Sequence, residues 1–168
     1  MGGDLNKLKT VAKYFIEVWK ASGMDLKHVE FLWASDMVKD SDYWQLVIRV
    51  GMTNKLARFI RTAEFMGREE STEKLTAAQI MYPCMQIADI FKLGAKITQL
   101  GMDQRKVNML AREIGPQLGY WKPVVISHHM LMGLGKPPSV QADRTTRTVE
   151  NKMSKSNPDN AIFMTDTK

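Results

Sequence analysis

The alternation of short apolar segments with a helical segment in the second half of the chain is the strongest constraint on the fold. A strand is predicted near Lys96–Leu100, a helix at Asp103–Ile114 and a second strand at Pro123–Ile126. Two consecutive strands connected by a helix run parallel, because the helix carries the chain back to the end of the sheet where the first strand began. The pattern predicts an α/β fold with a mainly parallel sheet and flanking helices.

Helical periodicity dominates the first half of the chain. Apolar residues from Leu5 to Trp19 recur at helical spacing, with Asp4 as the expected N-cap and Gly23 as the expected end. Residues 40–66 predict two amphipathic helices that are broken near residues 51–54, and a third helical region follows from 76 to 93. In contrast, Val29–Trp33 is short, apolar and rich in strand-forming residues, which predicts a buried strand.

Composition narrows the cellular setting and the class of partner. The 168 residues are 44% hydrophobic, which is typical of one folded domain. A net charge of +6 favours a polyanionic partner such as a nucleotide or nucleic acid, although a modest excess is also common as a solubility feature. Cys84 is the one cysteine, so an internal disulfide framework and a thiolate metal site are excluded. We expect a cytoplasmic protein without a membrane partner.

The predicted helix around residue 85 carries three polar residues among apolar neighbours. Tyr82, Gln86 and Asp89 share one helical face, and Pro83 predicts that Tyr82 lies at a helix entry and faces open space. A buried carboxylate is costly unless it is paired. Two interpretations of Asp89 therefore remain: an internal partner such as Tyr14, Lys96 or a backbone amide, or a ligand that offers a hydroxyl and an amine.

A second polar group, Asp103-Gln104-Arg105-Lys106, follows a predicted strand and opens a helix. Ligands of α/β sheets bind at this position, so both polar groups are candidates to line one pocket. Asp103 is also a reasonable N-cap, and the next three residues are typical of an exposed first turn.

Lys152-Met153-Ser154-Lys155-Ser156 matches the KMSKS signature of class I aminoacyl-tRNA synthetases. The pattern Tyr82-Pro83-x-x-Gln86-x-x-Asp89, together with Asp103 to Lys106, resembles the tyrosyl-tRNA synthetases of the archaeal and eukaryotic type. The resemblance implies a Rossmann-like catalytic domain in which tyrosine and ATP form tyrosyl-adenylate, and the tyrosyl group then passes to tRNA(Tyr). It also implies that residues 1–168 are part of that domain, with a helical insertion at about 40–78 and a signature loop at about 133–160.

The resemblance assigns roles to individual residues. Asp89 would accept a hydrogen bond from the substrate's phenolic hydroxyl, and Tyr82, Gln86 and Gln104 would surround its ammonium group. The expected ATP contacts lie in the signature loop, where negative charge that develops on the leaving pyrophosphate needs cationic partners. Lys155 would be the principal phosphate contact, Lys152 its helper and Met153 an apolar anchor, with further donors at Ser154 and Ser156. ATP would bring Mg²⁺, and no metal site on the protein is expected.

Interactions with larger partners follow from the same resemblance. Arg105 and Arg112 could face the tRNA acceptor end, but a solvated helix face explains them equally well. Full-length relatives of this type are homodimers, and the helical insertion would form the contact.

The chain also departs from the family pattern. The HIGH signature, the first strand and the helical anticodon-binding domain have no counterpart, since His28, His128 and His129 lie in other contexts. We therefore expect this polypeptide alone to lack tyrosine activation and to associate through unpaired sheet. The alternatives are a tryptophanyl-tRNA synthetase and a non-catalytic tRNA-binding paralogue or truncated product.

Overall fold

Helices form most of the described chain and two short strands complete it. The computed structural model describes residues 4–64, 75–135, 152–154 and 158–167. Contacts divide the chain into two compact units, residues 1–36 with 163–168, and residues 37–162. The elements are α1 (Leu5–Ala21), α2 (Ala34–Met37), α3 (Ser41–Met52), α4 (Leu56–Glu64), α5 (Ala77–Lys92), β1 (Ile97–Gly101), α6 (Arg105–Ile114) and β2 (Val124–His128), with short 3₁₀ turns at Leu26–His28, Met102–Gln104, Pro116–Leu118 and Pro158–Asn160.

Helix α1 begins and ends where its sequence predicts. The Asp4 carboxylate accepts from the backbone N–H of Asn6 at 2.8 Å, which satisfies a donor that the first turn leaves free. Gly23 follows the helix with φ near +87°, a conformation that glycine adopts at little cost. Both the predicted cap and the predicted end are confirmed.

The predicted strand at Val29–Trp33 is wrong. These residues have no regular structure, although the backbone of Val29 is extended. A strand needs a neighbour for its backbone hydrogen bonds, and no strand pairs with this segment within the described residues. Its apolar content is used in side-chain stacking instead, since the Phe31 ring lies parallel to Trp19 with centroids 5.8 Å apart.

The core of the second unit lies between helices whose buried residues follow the helical repeat. In α3 these residues are Tyr43, Leu46, Val47 and Val50, at spacings of three and four. The same spacing recurs in α6, and helix α5 packs against α3, α4 and α6. The predicted break between two helices near residues 51–54 is confirmed, because α3 ends at Met52 and α4 begins at Leu56.

Helix α5 begins earlier than the position of Pro83 indicates. Thr76 and Gln79 form a capping box, which fixes the helix start at Ala77, six residues before the proline. Pro83 is therefore inside the helix and buried. The prediction that Tyr82 marks a helix entry is wrong, but Tyr82 is exposed over 51% of its surface.

The predicted strand–helix–strand unit is confirmed. β1 and β2 pair in parallel, with Ile97 beside Val124 and Gly101 beside His128, and α6 connects them. The start of β2 is fixed by Arg112, whose guanidinium donates to the carbonyl of Pro123. On one face of this sheet Ile97, Val124 and Ile126 are exposed, so this face presents apolar side chains that no described residue fully covers. No described helix combines the length and apolar character needed to cross a bilayer.

Leu110 provides a test of the core. Its side chain is fully buried in α6, so Leu110→Ala leaves a cavity and should lower the free energy of unfolding by about 2–5 kcal/mol in urea denaturation. Leu131→Ala is the control, because Leu131 is 71% exposed and its truncation should cost about 0.5 kcal/mol or less. Equal losses in the two variants would contradict the packing described above.

Candidate functional site

The polar face of α5 presents three side chains of different exposure. Tyr82, Gln86 and Asp89 follow one another at spacings of four and three, which aligns them along the helix. Tyr82 is exposed, whereas Gln86 and Asp89 are half-buried among buried neighbours such as Ile87 and Ala88. This face combines a phenol, an amide and a carboxylate, which can hold a small ligand that carries both donors and acceptors.

Asp89 has an internal partner, and it is none of those expected from the sequence. The hydroxyl of Tyr43 on α3 donates to Oδ1 of Asp89 at 2.8 Å. Tyr43 is 1% exposed, so this bond joins two packed helices inside the core. No second hydrogen bond to the Asp89 carboxylate occurs within the described ranges, which leaves Oδ2 as an acceptor.

Both members of this pair have shifted pKa values. Burial raises the pKa of Asp89, and the hydrogen bond from Tyr43 acts in the opposite direction. The pKa of Tyr43 is raised, first by burial and then by the adjacent carboxylate. The Tyr43 phenol therefore keeps its proton at neutral pH and is the donor. Perturbed groups of this kind are concentrated at functional sites, although structural networks also produce them.

The second polar group lies at the carboxyl end of β1, but Asp103 does not cap the helix. A 3₁₀ turn at Met102–Gln104 separates the strand from α6, and the residue at the N-cap of α6 is Gln104, without a side-chain cap bond. Asp103 is 8% exposed and its carboxylate instead contacts the ammonium of Lys152 at 3.0 Å. The predicted cap is wrong because a tertiary ion pair takes the carboxylate.

The described part of the signature loop is attached to residues 131–132 and 162. Lys152 forms an antiparallel bridge with Met132, and the Met153 N–H donates to the carbonyl of Leu131 at 2.7 Å. The Met153 sulfur accepts from the N–H of Ile162 at 3.5 Å. Lys152, Met153 and Ser154 are all half-buried, whereas Lys155 and Ser156 lie outside the described residues.

The two candidate tRNA contacts differ in their surroundings. Arg105 is exposed at the start of α6. Arg112 is half-buried and donates to the carbonyl of Pro123 in its own chain, so its guanidinium has a structural role there. Among the described residues, no group of three His, Cys, Asp or Glu side chains could hold a metal ion.

Tyr43, whose hydroxyl donates to the Asp89 carboxylate, was not predicted from the sequence. A signal was present, because Tyr43 is the residue with a polar group in the apolar stripe of α3. A hydroxyl in such a stripe needs a buried acceptor, but the stripe does not indicate which one.

Comparisons with known proteins converge on one family. The family described as tRNA synthetases class I (W and Y) matches residues 2–168. Tyrosine–tRNA ligase 1, cytoplasmic, from Arabidopsis thaliana is 52% identical over 169 residues, which cover 99% of this chain and 40% of the relative. Many structures are similar, including two of tyrosyl-tRNA synthetases. One, from Pyrococcus horikoshii and complexed with L-tyrosine, is 37% identical with a TM-score of 0.86, over 99% of this chain and 50% of that one.

The other structure is the Leishmania major tyrosyl-tRNA synthetase in complex with tyrosinol. It is 48% identical with a TM-score of 0.83, and the match covers 99% of this chain and 23% of that one. The chain thus spans half or less of the length of each of these three relatives.

The pKa shift of Asp89 predicts the sign of a pH effect on stability. Because its pKa is raised in the folded state, the ionisation of Asp89 opposes folding as pH rises above its ordinary value of 3.8. The free energy of unfolding of Asp89→Asn, relative to the unsubstituted chain, should therefore increase from acid toward neutral pH in urea denaturation.

Asp40→Asn is the matched control with the opposite sign. A hydrogen bond from Lys92 lowers the pKa of Asp40, so its stabilisation is present above the ordinary pKa and is lost as pH falls through the lowered value. Asp40→Asn should therefore be less stable than the unsubstituted chain near neutral pH, and the difference should shrink on acidification. Trends of the same sign in both variants would contradict the assigned environments.

Proposed function

Because this chain belongs to the class I tRNA synthetases (W and Y), we propose that the protein that carries it is a tyrosine–tRNA ligase. It activates tyrosine with ATP to form tyrosyl-adenylate and transfers the tyrosyl group to tRNA(Tyr). Residues 1–168 are the proposed part of its catalytic domain, with a helical insertion at about 40–78 and the signature loop at about 133–160.

The observation that carries this proposal is the half-buried Asp89 carboxylate, whose Oδ2 atom has no hydrogen-bond partner among the described residues. A phenolic hydroxyl that donates to Oδ2 would satisfy the carboxylate, whereas a phenylalanine side chain would leave it unpaired. Gln86 and Tyr82 lie on the same face of α5, and we assign them to the substrate ammonium together with Gln104. The relatives named tyrosine–tRNA ligases support tyrosine over tryptophan.

The ion pair between Asp103 and Lys152 supports the assignment of the signature loop. It joins the first lysine of the signature to Asp103, which follows β1 and precedes Gln104 in the chain. In the proposed reaction the tyrosine carboxylate attacks the α-phosphate of ATP, and pyrophosphate leaves. Lys155 is the principal contact for the charge that develops on pyrophosphate and Lys152 its helper, with Ser154 and Ser156 as further donors.

Further proposals concern partners and location. Mg²⁺ would arrive with ATP and screen its phosphates. A homodimer through the helical insertion is supported by the exposed apolar side chains Ile48, Met52 and Leu56 on α3 and α4. Arg105, which is exposed, is the better of the two candidate tRNA contacts, because Arg112 is bound within the chain. Two relatives named cytoplasmic support a location in the cytoplasm.

Amino-acid-dependent pyrophosphate exchange by the full-length protein tests the proposed activity. Exchange should require L-tyrosine, and Asp89→Asn should lower kcat/KM for tyrosine by about 10- to 100-fold, because a hydrogen bond to a charged acceptor is lost. Exchange that depends on L-tryptophan would favour the tryptophanyl alternative. A protein that binds tRNA(Tyr) without any exchange would favour the non-catalytic paralogue.

The role of the signature lysines is tested in the same assay. Lys155→Ala should lower kcat by about 100-fold with a smaller change in KM, since its charge acts in the transition state. Lys152→Ala should have a smaller effect on kcat. Lys122→Ala is the control, because Lys122 is exposed and lies before β2. A Lys155→Ala variant with the kcat of the control would refute the assignment.

A further inference from the structure

Tyr43 belongs to the buried core and donates a hydrogen bond to Asp89 of the candidate site. We propose that it is a positioning residue for amino acid recognition: its phenol fixes the Asp89 carboxylate so that Oδ2 faces the hydroxyl of the incoming tyrosine. This inference rests on the proposed function and names a specificity determinant that does not itself contact the substrate.

The Tyr43 ring is held firmly enough to orient its partner. The side chain is 1% exposed, and its ring packs edge-on against Trp44 with centroids 5.6 Å apart and an interplanar angle of 77°. Trp44 is fixed in turn by a hydrogen bond from its indole N–H to the carbonyl of Val38 at 2.8 Å. A donor on a fixed ring selects one orientation of the Asp89 carboxylate, which would otherwise rotate about its side-chain bonds.

The hydrogen bond from Tyr43 also determines which further hydrogen bonds the Asp89 carboxylate can accept. Tyr43 retains its proton, so it donates to Oδ1 and leaves Oδ2 as the acceptor for the substrate hydroxyl. Its donation partly offsets the burial that favours the protonated acid, and so it favours the ionised carboxylate. An ionised carboxylate with one oxygen occupied offers its other oxygen to one further donor, which fits a phenol.

Several charged side chains on the helices around this pair have other partners. Among the described residues of the helices that pack against α5, Tyr43 is the titratable side chain that contacts Asp89. Charged side chains on α3 to α6 make the following other contacts: Lys92 with Asp40, Arg49 with the carbonyl of Leu118, Arg58 with Glu113, and Arg112 with the carbonyl of Pro123.

Loss of the Tyr43 hydroxyl would weaken discrimination as well as affinity. In its absence both carboxylate oxygens lack a fixed protein donor, and the side chain can turn toward water. When water hydrates the Asp89 carboxylate in this way, the binding of phenylalanine costs less free energy. The carboxylate then no longer depends on the substrate hydroxyl for a hydrogen bond. The expected result is a smaller difference between tyrosine and phenylalanine.

Pyrophosphate exchange by the full-length protein tests this inference with Tyr43→Phe. The variant keeps the ring and loses the donor, so KM for tyrosine should rise about 10-fold while kcat changes little. The ratio of kcat/KM for tyrosine to that for phenylalanine should fall about 10-fold as well. The acid limb of kcat/KM for tyrosine should move to higher pH, because the bond that lowers the pKa of Asp89 is gone.

Tyr120→Phe is the matched control. Tyr120 is half-buried and its ring stacks on Phe91 of α5, with centroids 4.7 Å apart, so this substitution removes a hydroxyl near the same helix without touching Asp89. Thermal denaturation checks the folding of each variant. If Tyr43→Phe does not fold, Tyr43→Met serves as the second variant without the donor.

The outcomes separate this inference from the proposed function. If Tyr43→Phe matches Tyr120→Phe in KM, specificity ratio and acid limb while Asp89→Asn loses tyrosine activation, Tyr43 is merely structural and the inference is overturned. If Asp89→Asn activates tyrosine as well as the unsubstituted protein, the proposed role of Asp89 fails and the inference falls with it. If Tyr43 acts through Asp89, the double variant should lose no more activity than Asp89→Asn.

Discussion

The hydrogen bond from Tyr43 to Asp89 is the interaction on which the candidate site depends. A carboxylate in a largely apolar helix is stable only when its charge has partners. Tyr43 supplies one partner from α3, at 2.8 Å, and thereby connects the packing of the core to the polar face of α5. The same bond leaves Oδ2 of Asp89 as an acceptor. One side chain, Asp89, therefore both joins two helices of the fold and is the proposed partner of the substrate phenol.

Local periodicity predicted most elements of the fold. The apolar spacing in α3 and α6 matches the buried residues of both helices, and the two strands that flank α6 pair in parallel. The strand predicted at Val29–Trp33 was wrong because strand formation depends on a neighbour that local composition does not specify. The helical region predicted from residue 76 is confirmed by the capping box at Thr76, whereas the helix entry predicted at Tyr82 from the preference of proline for a first turn was wrong.

In the candidate site too, features set by local sequence were predicted and features set by tertiary contacts were not. The spacing of Tyr82, Gln86 and Asp89 predicted a shared helical face, which is a local property. The partners of the carboxylates could not be predicted in this way, because Tyr43 is 46 residues from Asp89 and Lys152 is 49 residues from Asp103. Asp103 illustrates the consequence: its sequence position favours a helix cap, yet its carboxylate is paired with Lys152.

A crystal structure of the full-length protein with L-tyrosine tests the central claim most directly. The phenolic oxygen of the ligand should lie within about 2.5–3.0 Å of Oδ2 of Asp89, while Tyr43 still donates to Oδ1. A ligand ring that binds away from Asp89, or a carboxylate that has turned from Tyr43 to another partner, would contradict it.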